Sequence, residues 1–314
     1  MLAFYSIPIH ENSAMKKICL VNSFNYEIYL PECLDSVERQ TVPFDEVVVV
    51  DDGSTDNSRE IISSYCDRLP GWRSVFKPNG GQLSCFHAAL PYVVDDDLVT
   101  LLDADDIYPS DYLALLVEKS RVLNADLYFC HAERDETSAY QGFSSAIMPN
   151  GVDFVVESST ALSRLLRRWI GSSTSAIALR GYLYRTLLPY PYEREWVTRA
   201  DDIIVHGSGI LNASKAYVGS LRVYCRVHEN NAFHGRTFSD AYKLRRVHNM
   251  DKLYGWYCAK QSIPVHPNLD RAERELALLP EYLRKKFNLP QSIKSMNKKK
   301  RWHQKLFSYF AKSK

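Results

Sequence analysis

The chain has 314 residues, 46% hydrophobic and 24% charged, a composition that describes an ordinary globular protein able to bury one large α/β core or two smaller ones. Its net charge of +2 hides an uneven distribution: residues 294–314 carry eight Lys or Arg and no acid, so the remainder, 31 basic against 37 acidic residues, is mildly acidic. No apolar run approaches the ~20 residues of a membrane span, and seven scattered cysteines without a CxxC pair favour buried thiols in a reducing cytosol over a disulfide frame or zinc site.

Residues 1–14 lack a basic n-region and include Pro8, His10 and Glu11, a poor signal peptide, and are expected to form a disordered extension. Residues 18–21 read as a short apolar strand ending at Asn22-Ser23. A helix follows, with Pro31 in its first turn and Leu30, Cys33, Leu34 and Val37 at i, i+3, i+4 and i+7. The second strand, residues 47–50, leads into Asp51-Asp52-Gly53-Ser54-Thr55-Asp56, which supplies a turn and an N-cap for a helix to about Tyr65. Residues 72–77 form a third strand, closed by Pro78-Asn79-Gly80-Gly81, and 82–93 read as helix apart from Pro91. The fourth strand, 98–102, is followed by a helix from Ser110-Asp111 to about Val122, and 126–130 is another strand. Strand–helix alternation with short links predicts a mostly parallel sheet whose ligands gather at the carboxyl ends of its strands.

Past about residue 135 the pattern loosens: 139–151 is a polar loop, 160–169 and 200–212 look helical, and 215–227 looks like one or two strands. Residues 238–258 and 268–287 read as amphipathic helices. The division expected is a core domain over 15–235, its halves meeting near 135, a helical region over 236–293 and a basic tail over 294–314.

Five polar segments could carry chemistry. In Asp103-Ala104-Asp105-Asp106 an Asp-x-Asp at a strand end can aim two carboxylates to one side, enough for Mg²⁺ or Mn²⁺; the alternative is an Asp-rich turn. Asp51 and Asp52 can accept from a base or ribose, or merely cap the next helix. Asn79-Gly80-Gly81-Gln82 opens a helix whose N-terminus favours anions, or is a plain turn. In Arg199-Ala200-Asp201-Asp202 one acid can serve as a general base, or both can serve the helix dipole. The stretch from Tyr224 through Cys225, Arg226, His228 and Asn231 is dense in donors, and Arg226 and His228 suit a diphosphate or a metal.

In this order the segments resemble the family-2 glycosyltransferases of the GT-A fold. VNSFNYEIYLPECLDSVERQT is similar to that family's opening strand and helix, VVVVDDGSTD to its nucleotide-binding signature, and NGGQLSCFHAAL to its Asn-Gly-Gly helix start. LLDADD resembles its metal-binding Asp-x-Asp, RADD its acidic pair, and YCRVHENN its late Tyr-Arg-x-His-x-x-Asn stretch. His87, Ala89, Cys225 and the Asp201-Asp202 pair depart from the residues usual there.

The resemblance implies a GT-A, Rossmann-like sheet and an inverting transfer from a nucleotide-diphospho-sugar, with UDP the expected nucleotide, to an acceptor hydroxyl. It implies donor contacts from Asn22, Asp51, Asp52, Asn79, Gly80, Gly81, Gln82, Asp103 and Arg226. Asp105, with Asp103 and His228, would hold a divalent Mn²⁺ or Mg²⁺, and Asp202, which the alignment favours over Asp201, would take the acceptor proton. The acceptor would be a carbohydrate or lipid-linked saccharide in surface polysaccharide synthesis. Trp169, Trp196, Tyr182, Tyr184, Tyr190 and Tyr192 offer faces for sugars or are core aromatics. The tail, with Trp302, Leu306, Phe307, Tyr309 and Phe310 among its lysines, fits either a peripheral helix on an anionic inner membrane face or a solvated extension. Nucleic acid is not an expected partner. The rival readings are an inactive sugar-nucleotide-binding protein and an Asp-nucleophile phosphatase.

Overall fold

The structure is a computed structural model that describes residues 15–134, 151–229, 231, 237–264 and 268–289. The 1–14 extension, most of the 139–151 loop and the 294–314 tail lie outside the described residues.

The central strands form where the aliphatic runs predict them: β1 Lys17–Ser23, β2 Glu46–Asp51, β3 Trp72–Phe76 and β4 Leu98–Asp103. Each of the middle three is buried along most of its length because helices cover both faces, the situation that calls for continuous apolar runs. Alternate side chains divide between two cores. Ile18, Leu20, Val48, Val50, Val99 and Leu101 face one, with Leu83 and Phe86 of α3 (Gln82–Ala89). Cys19, Val21, Val47, Val49, Leu98 and Leu102 face the other, with Leu30 and Leu34 of α1 (Leu30–Glu38) and Leu113 and Leu116 of α4 (Tyr112–Leu123). The intervening helix α2 spans Ser58–Arg68, starting two residues past the expected cap.

Among the described residues the sheet has nine strands, in the order β3-β2-β1-β4-β8-β6-β9-β5, with β7 on β9. Here β5 is Asp106–Ile107, β6 Leu127–Arg134, β7 Phe154–Val156, β8 Ile177–Arg180 and β9 Lys215–Cys225. Strands β1 to β4, β6 and β9 run one way, and β5, β7 and β8 run against them. Because β1 lies between β2 and β4, chain order reverses there, and register aligns Ser23 with Asp51 and Asn22 with Asp103. That is the switch point at which open α/β sheets leave a crevice.

The short β8 and the helix after it, α6 (Gly181–Leu187), were not evident in the sequence. Helix α5 is Thr160–Leu166 and α7 is Asp201–Ile210. The C-terminal region is helical as expected: α8 Asp240–Lys260, then α9 Leu269–Leu278 and α10 Glu281–Lys286, parted at Pro280. Leu253, Tyr254, Tyr257, Ala272, Leu276 and Leu283 join the first core, so these helices are packed into the domain. None of the seven cysteines is in a disulfide. No helix among the described residues is long and apolar enough to cross a membrane.

Lys215, at the start of β9, is fully buried and donates to the carbonyls of Ile170 at 3.0 Å and Val205 at 2.7 Å. Two acceptors match the two donors of a neutral amine, and burial lowers its pKa from 10.5 to about 7. Between those values the unfolded chain binds a proton that the native one lacks, so this residue adds stability as pH rises from 7. Comparing unfolding at pH 7 and 9, wild type should gain roughly 2 kcal/mol more than Lys215→Met. Parallel pH responses would show that the amine is charged in the fold.

Candidate active site

The two acids ending β2 are buried and occupied. Asp51 accepts from the backbone N–H of Gly53 at 3.2 Å and Ser54 at 3.1 Å and pairs with Arg59 Nε at 2.7 Å. Asp52 crosses to the next loop, accepting from the N–H groups of Gly80 at 2.8 Å and Gly81 at 2.7 Å and from Lys77 Nζ. The expected donor contacts Asp51 and Asp52 thus bond protein groups here, Asp51 closing the turn after β2 and Asp52 tying it to the loop before α3. Asn25 and Glu27 tie the β1–α1 loop to the same turn through Thr55 N–H at 2.8 Å and Asn57 N–H at 2.9 Å. Asn79 is exposed at the loop's edge.

Gly81 has φ +87°, and a Cβ there would lie 2.4 Å from Val197 Cα, so this position admits no side chain. The next residue, Gln82, spans the site. Its Nε2 donates to Asp103 Oδ1 at 2.7 Å and Thr174 Oγ1 at 3.0 Å, and its Oε1 accepts from Ala200 N–H at 2.9 Å. It therefore fixes the end of β4 relative to the start of α7. Asn22, beside Asp103, keeps a buried Oδ1 with no partner among the described residues.

Asp103, Asp105 and Asp106 bring oxygen atoms within 4.8 Å of one another. Burial, and then the Asp105 charge, push Asp103 up to about 7, against hydrogen bonds from Asn22 and Gln82. Burial and both neighbours push Asp106 well above the carboxylate range; it accepts from Ser175 Oγ at 2.5 Å and Cys225 Sγ at 3.3 Å. His228 stacks on Tyr29 at 4.1 Å and brings Nε2 to 3.1 Å from Asp105 Oδ2, where Asn231 Nδ2 also arrives. Three carboxylates and one imidazole are a donor set that suits Mg²⁺ or Mn²⁺, and a divalent charge would relieve their repulsion. Arg226 does not face this space freely. It donates to Asp105 O at 2.5 Å, Glu32 at 2.7 Å and Tyr29 O at 2.8 Å, which leaves two of its five N–H donors for the expected diphosphate contact.

At the start of α7, Asp202 is 2% exposed and gripped by two guanidinium forks. Arg199 reaches its oxygens at 2.9 and 3.3 Å, and Arg246 at 2.5 and 3.1 Å. Four donors fill about four lone-pair sites, leaving none for an acceptor proton. Its pKa is lowered: burial opposes ionisation, and Arg246 and Arg199 overcome it. Asp201 differs. Its Oδ1 accepts from Asp202 N–H at 3.1 Å, while its Oδ2 has no partner among the described residues. Burial and the Asp202 charge push Asp201 up to about 6. The preference for Asp202 as proton acceptor therefore meets a filled carboxylate, and the open one is its neighbour.

Residues 19–175, half the chain, match the sequence profile of Glycosyl transferase family 2. The chain belongs to that family. An uncharacterized glycosyltransferase of Nostoc sp. is 27% identical over 218 residues, 69% of this chain and 66% of the relative. The chondroitin synthase of Pasteurella multocida is 35% identical over 117 residues, 36% of this chain and 12% of the relative. The matched part thus spans less than two-thirds of either relative's length. Among solved structures, S. aureus TarS in complex with UDP-GlcNAc superposes with TM-score 0.62 at 20% identity, covering 87% of this chain and 73% of that one. The mannosyltransferase PcManGT from Pyrobaculum calidifontis, in complex with GDP-Man and Mn²⁺, gives 0.50 at 18% identity, covering 76% and 63%. Identities this low speak for the fold alone, and that fold is the GT-A type.

Set against this family-2 frame, sequence reasoning missed Asp106, Ser175, Thr174, Lys77, Asn231 and Arg246 as parts of the site. Asp106 and Asn231 stood inside the quoted motifs; the others carry no local signal, because their partners are 25 to 92 residues away. Of the candidate sugar-stacking aromatics, Tyr184, Tyr190 and Trp196 are core, Tyr182 bonds Asp126, and Tyr192 is 42% exposed. Replacing Gly81 by Ala should cost roughly 1–3 kcal/mol of stability and displace the Asp52-bound loop. Thermal melting and nucleotide titration check this; an unchanged melting temperature would mean that the Val197 segment yields.

Proposed function

We propose that this chain is a metal-dependent inverting glycosyltransferase that moves a sugar from a UDP-sugar to the hydroxyl of a carbohydrate or lipid-linked saccharide, in surface polysaccharide or lipid-linked glycan synthesis. The observation that carries the reading is the bridge made by Gln82, which ties the Asp103 side of the carboxylate cluster to the helix bearing Asp201. A donor diphosphate and an acceptor hydroxyl need such a fixed separation to meet in line. UDP-GlcNAc and GDP-Man in the structures of similar fold support a nucleotide-sugar donor.

Asp103, Asp105, Asp106 and His228 would hold the metal, which when bound supplies positive charge against the departing diphosphate. The unpaired Asn22 Oδ1 and the neighbouring Asp103, whose Oδ1 accepts from Gln82, suit ribose hydroxyls. The acceptor oxygen attacks the anomeric carbon from the face opposite the diphosphate. The carbon–oxygen bond to the diphosphate breaks with its electron pair, and the acceptor proton passes to Asp201 Oδ2. A base raised to about 6 is ionised at pH 7 yet basic enough to receive that proton. Turnover should therefore fall on the acid side with a limb near pH 6.

UDP binding and nucleotide-sugar turnover, each with and without Mn²⁺, test the reading. Metal-dependent UDP binding should drop at least about tenfold in Asp105→Ala. Asp201→Asn should keep UDP affinity and lose about 10²–10⁴ in turnover. Phosphatase activity on simple esters without nucleotide binding would overturn the reading, and tight UDP binding without turnover would favour an inactive binding protein. If Asp202→Asn kills transfer while Asp201→Asn does not, the base is Asp202.

The basic, aromatic tail from Lys294 is assigned to an anionic membrane surface, where a lipid-linked acceptor would lie. Deleting residues 294–314 should move the protein from the membrane to the soluble fraction; an unchanged partition would remove this assignment.

A further inference from the structure

We propose that Arg246, on the C-terminal helix α8, is a positioning residue for the acidic pair of α7. The proposal rests on the glycosyl-transfer reading above. Arg246 lies well beyond residues 19–175, so the family match does not include it. It reaches 44 residues back to make the shortest contact on Asp202, NH1 to Oδ2 at 2.5 Å.

A carboxylate that is 2% exposed keeps its charge only if fixed donors replace water around it. Arg199 supplies one fork from a left-handed backbone, φ +65°, a costly conformation for a residue with a side chain. Arg246 supplies the second. With both forks in place, two guanidiniums face two acids. Among the described residues, every other charged or titratable group bordering Asp202 is weaker or more remote. His206 Nε2 is 3.9 Å away, and burial pushes that imidazole down to about 3, so it stays neutral. Tyr254 bonds His206 Nδ1 at 2.8 Å and lies under the Arg167 guanidinium, 3.9 Å from its ring. Tyr242 borders Arg199, and Lys215 lies behind His206.

Helix α8 is anchored well enough to aim a side chain. Asn249 donates to Glu195 O at 3.1 Å, Lys252 pairs with Glu195, and Tyr257 donates to Leu187 O at 2.8 Å. The first two anchors pin Glu195, two residues before Val197, which packs on Gly81 and accepts from Gln82 N–H at 3.0 Å. Arg246 therefore fixes the side chain of Asp202, while the backbone N–H of Asp202 separately meets Asp201 Oδ1 at 3.1 Å. Without Arg246, one guanidinium faces two carboxylates, and the released Asp202 carboxylate swings toward Asp201 or shares a proton with it, so that Asp201 no longer offers the acceptor an open oxygen. A lysine would restore charge but only one point of contact.

The test compares Arg246→Met and Arg246→Lys with wild type, using the full chain, Mn²⁺ and the nucleotide sugar that wild type turns over. Arg246→Met should lower kcat about 10- to 100-fold while the donor KM and UDP affinity stay within about threefold, since the donor side is held by other residues. Arg246→Lys should recover part of kcat, and guanidinium ion added to Arg246→Ala should recover part as well. Leu244→Ala, on the exposed face of the same helix, should match wild type. If Arg246→Met does not fold, Arg246→Lys, with melting temperature retained, still reports through its kcat. Wild-type kcat in Arg246→Met, or a loss that tracks weakened donor binding, overturns the positioning role and leaves glycosyl transfer standing. A wild type that turns over no nucleotide sugar overturns the reading and this role with it.

Discussion

The constraint on which this site depends is the crowding of seven carboxylates at one end of a sheet. Asp51, Asp52, Asp103, Asp105, Asp106, Asp201 and Asp202 all sit at strand or helix ends there, and five of them are less than a tenth exposed. Buried like charge is tolerated only where something opposite meets it. The chain meets part of the demand itself. Arg59 answers Asp51, Lys77 and two glycine N–H groups answer Asp52, and Arg199 and Arg246 answer Asp202. Among the described residues, no Lys or Arg lies at ion-pair distance from Asp103, Asp105, Asp106 or Asp201. The fixed cations thus go to the acids that hold loops and rotamers, and the acids without one are those proposed to meet metal or proton. Frame and chemistry are divided by where the chain places its own positive charge.

That division explains what could and could not be read from the sequence. Strand ends at Asn22, Asp51 and Asp103 were readable because long β-branched runs must be buried and must stop where the carboxylates begin. The alignment of those ends follows from parallel register, which alternation with helices already implied. The jobs of individual acids were not readable, because Asp51 and Asp103 look alike in one dimension. One meets an arginine eight residues on, within the next helix, and the other meets a glutamine from a different helix. Arg226 was opaque for the same reason: the sequence shows a guanidinium in a donor-rich stretch but not the bonds to Glu32 and two carbonyls that tie it to α1 and the turn after β4.

The C-terminal half illustrates a different limit. Amphipathic periodicity located α8 within two residues at each end, yet gave no hint that a polar position on it belongs to the site. Periodicity reports which face is buried on average. It carries no information on a single long side chain that leaves the solvent face to reach across. Likewise β8 escaped because four residues are too few for a pattern, although its two antiparallel pairings stitch β4 to β6 and so join the two halves of the sheet.

Holding and proton acceptance make opposed demands on a carboxylate, and the acidic pair separates them. Both acids occupy the first turn of α7, where the helix dipole favours ionisation by about 0.3–1 kcal/mol. At Asp201, burial and the neighbouring charge raise the pKa from 3.8 to about 6, a change worth about 3 kcal/mol, so desolvation and like charge prevail over the dipole. At Asp202 the same burial is overcome by two bidentate guanidiniums. An acid held that firmly cannot accept a proton without losing its forks, whereas an acid left unheld would have no fixed direction. Placing them at adjacent positions, with the backbone N–H of the held residue donating to the carboxylate of the other, gives Asp201 an orientation without filling the oxygen proposed to take the proton. On the proposed mechanism the arginines act on the base through its neighbour, and that is why one of them can come from a helix so far along the chain.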